Sequence, residues 1–257
     1  MEAKFHSCIL ARTVARCIQG EFTGTRCMKA LLLTLILLAT PLLASADPFT
    51  VITVDTRTEQ LELFLTDDTG APFRRLDNLD AWLKSQHRQL RFAMNAGMFE
   101  PDLSPVGLFV THGRERKALN LAEGRGNFFL KPNGVFFLTQ AGPRIVRSTK
   151  YSAPADEVLL ATQSGPLLLE EGTINPAFNP TSKSKYIRNG VGVHGDEAIF
   201  VISDVPVTFY EFAVYFKDQL HCSDALYFDG AVSSLFAPAL GRRDSTVDLG
   251  PMIGVVK

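Results

Sequence analysis

The chain is poor in cysteine and uses it unevenly. Three of its four cysteines, Cys8, Cys17 and Cys27, fall in the first 27 residues, which leaves only Cys222 further on. The main part of the chain therefore has no disulfide framework and must rely on its core. Cys222 follows an apolar helical pattern and reads as a packed small side chain. Cys-x-x-Cys, His-Glu-x-x-His and the Walker loop are all absent, so those metal and nucleotide chemistries have no support. Gly-x-Ser-x-Gly is missing too, and with it the serine-hydrolase elbow. Gly124-Arg125-Gly126 and Gly190-Val191-Gly192 lack the rest of a dinucleotide-binding pattern. No ligand spacing calls for a metal, and no cofactor is expected. Basic residues number 26 against 27 acidic ones and form no block, which argues against nucleic acid as a partner.

Long apolar runs are also scarce. The one present spans Ala30 to Leu43, between Met28-Lys29 and Ala44-Ser45-Ala46. A short basic start, an apolar stretch and an A-x-A site are the parts of a secretory signal. The run is too short for a membrane span. Cleavage after Ala46 is expected, giving a periplasmic or secreted protein that begins at Asp47 and keeps no membrane span. Residues 28–46 are then the signal. Residues 1–27 are a start-site artefact, with Met28 as the true start, or a long basic n-region. Removing residues 1–46 leaves 211 residues with 21 basic and 25 acidic groups, a net charge of −4. That length suits one well-cored domain, residues 47–257, and no repeat or linker divides it.

Hydrophobic periodicity within 47–257 predicts many strands and two principal helices. Phe49–Asp55 and Leu61–Leu65 read as a hairpin, with Leu61, Leu63 and Leu65 on a core face. Leu76, Leu79, Trp82 and Leu83 predict a helix over about 77–89. Arg91–Met94 is a strand that runs into Asn95-Ala96-Gly97. Pro132-Asn133-Gly134, between Phe128–Lys131 and Val135–Thr139, signals a second hairpin. Strands follow at Arg144–Ser148, Glu157–Gln163, Leu167–Leu169, Tyr186–His194 and Ala198–Ile202. Asn175–Lys185 reads as an exposed polar loop. Thr208 and Glu211 form a capping box for the second helix, and Val247–Val256 closes the chain as a strand or pair. The fold class is α+β, a single mixed-sheet domain.

Asp224-Ala225-Leu226-Tyr227-Phe228-Asp229-Gly230-Ala231-Val232-Ser233-Ser234 organises the rest. An apolar strand ends on a carboxylate, a glycine that permits close approach, and two hydroxyls placed to open a helical turn. A carboxylate at the exit of a buried strand is costly unless it is paired or functional. It can also simply cap the next turn. Asn95, Glu100, Asp102, Arg188, His194 and Asp204 are further polar residues at strand ends. Each has a plain structural alternative, such as a surface ion pair for Arg188 or a turn for His194 and Asp204.

Four blocks, taken together, resemble the phosphodiester glycosidase family. Asn95-Ala96-Gly97-Met98-Phe99 is similar to its Asn-Gly-Gly-Phe-Phe, and Ser164-Gly165-Pro166-Leu167-Leu168 to its Ser/Ala-Gly-Pro-Leu-Leu. Arg188-Asn189-Gly190-Val191-Gly192 is similar to Arg-Thr-Ala-Ile-Gly. Ala225 to Ser234 is similar to Ala-Leu-Asn-Leu-Asp-Gly-Gly-Gly-Ser-Ser. Ala96 and Ala231 replace glycines, and Asn189-Gly190 replaces Thr-Ala. The stretch from Asn95 to Gly107 looks like an exported bacterial branch of the family.

The resemblance implies hydrolysis of a sugar–phosphate glycosidic bond in a phosphodiester-linked glycan or envelope component. Phosphate leaves readily, so the chemistry needs a cationic fork on the departing oxygens and a carboxylate near the anomeric carbon. Arg188 is the candidate for the fork, Asp229 for the carboxylate and Asn95 for orienting the substrate. Gly97, Gly192, Gly230, Ser233 and Ser234 are candidates for substrate binding, with Glu100 and Asp102 as reserve carboxylates. The alternative is a non-catalytic periplasmic module that binds a glycan or envelope polymer with the same residues.

Overall fold

Strand-forming runs dominate the chain, and in a computed structural model that describes residues 47–152, 157–245 and 247–257 they build three antiparallel sheets. The expected leader, signal and cleavage site lie in 1–46, outside the described residues. No helix of the described residues is long and apolar enough to cross a membrane.

The first sheet runs in the order β1 (Phe49–Asp55), β12 (Glu197–Ser203), β11 (Asn189–His194), β13 (Asp224–Tyr227), β9 (Leu167–Glu170), β10 (Thr173–Ile174). The second runs β15 (Arg242–Arg243), β14 (Leu235–Ala237), β3 (Leu90–Asn95), β16 (Met252–Val256), β2 (Gln60–Phe64). The third runs β5 (Arg114–Lys117), β4 (Phe109–Thr111), β8 (Val158–Ser164), β6 (Gly134–Thr139), β7 (Gly142–Arg147). Helices α1 (Leu76–Ser85) and α2 (Phe209–Val214) complete the α+β domain, and a π-helical turn, Tyr215–Gln219, continues α2.

All three sheets turn one face toward a shared core. Phe200 of β12 touches Phe92 of β3 and Phe136 of β6, with ring centroids 5.2 and 6.1 Å away. Leu63, Phe109, Leu160, Val191, Leu226 and Ile253 fill the same cluster. The outer face of the first sheet is covered by Phe212, Ala213 and Phe216, which pack on Ile199, Val201 and Ala225. That of the second is covered by Leu76, Leu79 and Leu83 of α1. Burial on both faces explains unbroken apolar runs such as Leu226–Phe228, where alternation would mark a half-exposed strand.

Several expected elements differ. Phe49–Asp55 and Gln60–Phe64 are not a hairpin: β1 pairs with β12 and β2 with β16, so the chain changes sheets between them. The second face of β2 is buried as well. It carries Phe64 against α1 and Glu62, which is held by Arg88. Helix α1 stops at Ser85, where the chain turns through His87 at φ 58°. Asn133-Gly134 makes no hairpin. Phe128 lies in a single 3-10 turn, and β6 folds back on β7 past Gln140-Ala141. Ser233 and Ser234 do not start a helical turn. Asp229 caps a 3-10 turn over Gly230–Val232, and Ser233 ends it. The closing strand is β16 alone. The capping box at Thr208 and Glu211 forms as expected, with both reciprocal bonds present.

Gly192 sits on β11 beneath the second helix. A Cβ there would stand 2.5 Å from Cys222 Sγ and 2.7 Å from Phe216 Cδ1. Burial pushes the Cys222 thiol up to about 12, so this cysteine is a packing group. Overfilling a tight core costs about 1–3 kcal/mol. Gly192→Ala should therefore lower the melting temperature by several degrees, as followed by circular dichroism. Adding Cys222→Ala should restore part of the loss.

Candidate active site

The ends of five strands meet where the chain's polar residues converge. Asn95 ends β3, Ser164 ends β8 and Asn189 begins β11. Asp229 follows β13, and Ser233 and Ser234 precede β14. A pair of amides joins them. Asn189 Nδ2 donates to the Asn95 carbonyl and Oδ1, at 2.9 and 3.0 Å. Asn95 Nδ2 donates to the Asp229 carbonyl at 2.9 Å and to Asn189 Oδ1 at 3.3 Å. The Ser234 N–H donates to Asn95 Oδ1 at 2.9 Å, and Ser233 Oγ to Asn189 Oδ1 at 3.2 Å. Ser164 Oγ adds the third sheet by donating to the Phe228 carbonyl at 3.0 Å.

Asn95 is 1 % exposed, and all its amide hydrogen-bonding capacity is used inside the protein. It has none left to orient a substrate; its part is to hold the Asp229 backbone. Ser234 is likewise buried and gives its hydroxyl to the Val232 carbonyl. Ser233 is half-buried and borders the Ile187 carbonyl.

Asp229 points its carboxyl elsewhere. Oδ1 accepts the Ala231 N–H at 3.2 Å, and the group forms no ion pair among the described residues. Burial raises its affinity for a proton above that of an ordinary aspartate, only partly offset by the Ala231 bond.

Arg188 is 2 % exposed, the largest of the fully buried side chains. Its guanidinium lies over Phe209 at 3.6 Å from the ring centroid, and Phe209 stacks in turn on Phe178 at 5.1 Å. Nε donates to the Val207 carbonyl at 2.9 Å and Nη2 to the Ser184 carbonyl at 3.3 Å. No described carboxylate is within ion-pair distance. Burial lowers its proton affinity, and only the Tyr227 and Tyr186 phenols oppose that. The expected fork is therefore partly spent: Nε and Nη2 are held by carbonyls, and Nη1 bonds no carbonyl or carboxylate among the described residues.

Tyr227 lies near both groups. Its titration responds to Arg188 and to Asp229, whereas neither of those two perturbs the other. Arg188 lies 5.5 Å from the Tyr227 ring centroid. The Gly230 N–H donates to the Tyr227 hydroxyl at 2.7 Å.

The remaining candidates are scattered. A Cβ on Gly97 would meet the Gln163 carbonyl at 2.5 Å and Thr162 Oγ1 at 2.6 Å, so that glycine serves the packing of the β3 exit on β8. Gly192 lies beneath α2, outside the cluster. Glu100 and Asp102 are exposed on a turn closed by the Phe99–Pro105 bridge. Asp102 is held by Ser104, whose hydroxyl keeps its carboxyl below the usual range. Two adjoining cavities of about 310 and 470 Å³ share Leu63, Thr111 and His112 and include none of Asn95, Arg188 or Asp229. His194 is exposed, and Asp204 pairs with Arg242.

Sequence reasoning missed Asn189 and Tyr227. Asn189 was visible only as a departure in the Arg-Asn-Gly block. Tyr227 was hidden in an apolar run, where its hydroxyl was the one available signal.

Fold and site together define an α+β domain with a buried cation and a half-buried acid, neither in an ion pair among the described residues, at one set of strand ends. A model of the phosphodiester glycosidase (NAGPA) family matches residues 88–252, a span that contains this whole cluster. The chain belongs to the phosphodiester glycosidase family. It is 38 % identical over 198 residues to the uncharacterized protein YigE of Escherichia coli strain K12, covering 75 % of this chain and 77 % of that protein. Its fold is similar to the zebrafish N-acetylglucosamine-1-phosphodiester alpha-N-acetylglucosaminidase catalytic domain, in a form auto-inhibited by pro-peptide. The TM-score is 0.50 at 14 % identity, over 84 % of this chain and 91 % of that one.

Asn95→Ala leaves the Ser234 N–H, the Asp229 carbonyl and the Asn189 amide each short of a partner. Each buried orphan costs about 1–3 kcal/mol. The variant should lose about 3 kcal/mol or more in urea unfolding, a cost that a purely substrate-orienting asparagine would not carry.

Proposed function

We propose that this protein is an exported glycosidase that hydrolyses the bond between a sugar's anomeric carbon and a phosphodiester. The observation that carries this is Arg188, a buried guanidinium with no carboxylate partner among the described residues, on the same set of strand ends as the half-buried Asp229. A buried cation costs several kcal/mol unless an anion joins it, so the site is built to receive one. A phosphodiester supplies that anion, and its glycosidic carbon falls to Asp229.

Water adds through its oxygen to the anomeric carbon, and Asp229 takes its proton. The anomeric C–O bond breaks, and its electron pair stays on the phosphoryl oxygen. Charge on that group rises from one toward two, and Arg188 offsets the increase. Phosphate leaves without an acid, so one carboxylate suffices where ordinary glycosides need two. Asp229 as nucleophile is the variant of this scheme. The configuration of the first-formed sugar separates them: inversion for the base, retention for the nucleophile. Export rests on the secretory pattern at residues 28–46.

Asp229→Asn on the chain from Asp47 should abolish release of phosphate monoester from synthetic sugar phosphodiesters. Because burial disfavours the charged carboxyl, its melting temperature at neutral pH should hold or rise. Wild-type activity in this variant would remove Asp229 from the mechanism.

A second expectation follows from the raised proton affinity of Asp229. The ionised form is the working one, so kcat/KM should climb with pH through a midpoint above the ordinary 3.8. A limb falling over that range would instead mark Asp229 as an acid.

Arg188→Lys keeps the charge but loses the planar donors. Turnover of phosphodiesters should fall about 10- to 100-fold more than that of uncharged aryl glycosides. Equal loss on both would make Arg188 structural.

A further inference from the structure

We propose that the Tyr227 hydroxyl is the second donor of the anion site, closing with Arg188 Nη1 on the departing phosphoryl group. This deepens the reading above and rests on a sugar phosphate being the ligand.

Tyr227 is 2 % exposed, and its hydroxyl accepts the Gly230 N–H at 2.7 Å. It donates to no described residue. A buried phenol normally finds a partner for its O–H, and here the acceptor side is already satisfied. The missing contact is thus an acceptor, which a phosphoryl oxygen provides. Nε and Nη2 of Arg188 are tied to Val207 and Ser184, and Nη1 bonds no carbonyl or carboxylate among the described residues; the Tyr227 phenol is the polar side chain that stabilises its charge most. A phenol proton and a guanidinium nitrogen that neighbour one another and lack acceptors among the described residues suit one anion.

The hydroxyl is also held in position. A Cβ on Gly230 would stand 2.0 Å from Tyr227 Oη, so the hydroxyl occupies the space any other residue at 230 would fill. Gly230 therefore serves Tyr227, where the sequence suggested close approach of a ligand. The ring is packed edge-on against Phe209 at 4.8 Å, the same ring on which the guanidinium lies. Both donors are thus referenced to one aromatic side chain. Burial raises the phenol's proton affinity, the Arg188 charge opposes that, and Asp229 adds to it. The phenol keeps its proton at neutral pH and acts as a neutral donor. As the C–O bond breaks, the electron pair goes to phosphate, the water proton goes to Asp229, and Tyr227 only hydrogen-bonds the growing charge.

The test compares glucose 1-phosphate with methyl glucoside, by calorimetry on the chain from Asp47 and its Tyr227→Phe variant. A hydrogen bond to a charged group predicts about 10- to 100-fold weaker glucose 1-phosphate binding, with methyl glucoside unchanged. Loosened packing would weaken both alike, and that outcome, or no change, overturns the proposal. So does failure of the wild type to bind glucose 1-phosphate. Should Tyr227→Phe not fold, Gly230→Ala displaces the hydroxyl without deleting it and must show the same selective loss. Selective loss in a wild type that never cleaves phosphodiesters keeps the donor pair and overturns the hydrolase reading. Cleavage with unselective loss keeps the hydrolase and overturns the pair.

Discussion

The Asn95–Asn189 amide pair is the constraint on which the site depends. Most of the contact between the three sheets is apolar, which resists separation but tolerates sliding. The other polar ties, such as Ser164 to the Phe228 carbonyl and Thr111 to the Leu63 carbonyl, are single hydrogen bonds or lie toward the surface. Phe92, Phe136 and Phe200 can bring the sheets together without fixing which strand ends coincide. Two buried amides that exchange hydrogen bonds across β3 and β11 do fix it, because any slip leaves polar groups without partners. The same pair reaches the Asp229 carbonyl and the Ser234 N–H, so the turn bearing the acid is tied to the junction between the sheets. The position of the carboxylate is thereby inherited from the core.

The amide pair governs backbone, and the aromatic side chains govern charge. Phe178, Phe209 and the Arg188 guanidinium form a three-layer stack. Carbonyls of Val207 and Ser184 hold the guanidinium at its edge, with no acid involved. A carboxylate there would have satisfied the cation and removed it from use. Carbonyls and ring faces orient the cation and leave its charge unneutralised. The structure carries the desolvation cost of Arg188 and of Asp229 separately, and Tyr227 lies near both. A buried cation and a half-buried acid, each without an ion pair among the described residues, are a stability debt characteristic of functional sites.

Much of this was legible in the sequence, though unevenly. Strands, helix α1 and the capping box at Thr208 followed from periodicity and local chemistry. The sheet to which each strand belongs did not. Phe49–Asp55 and Gln60–Phe64 are close in sequence and look like a hairpin, because nothing local records that the chain turns into a different sheet. Asp229 stood out as a carboxylate at the exit of an apolar strand. Asn95 stood out as well, yet its role was misread, since a side chain facing a substrate and one facing a neighbouring amide look alike in one dimension. The loop Asn175–Lys185 looked merely exposed. It nonetheless supplies Phe178 to the stack and the Ser184 carbonyl to Arg188.

Tyr227 shows most sharply what a linear reading loses. It stands where the family signature carries asparagine, inside a run whose hydrophobicity announces a buried strand. That reading is right about the ring, which packs on Phe209, and silent about the hydroxyl. What gives the hydroxyl meaning is Gly230, three residues on, whose missing side chain makes room for it. The glycine and the tyrosine are therefore one feature: each would be unfavourable without the other. A strand exit that reads as acid plus flexible turn is, in three dimensions, an acid followed by a glycine that fixes a phenol near a buried cation.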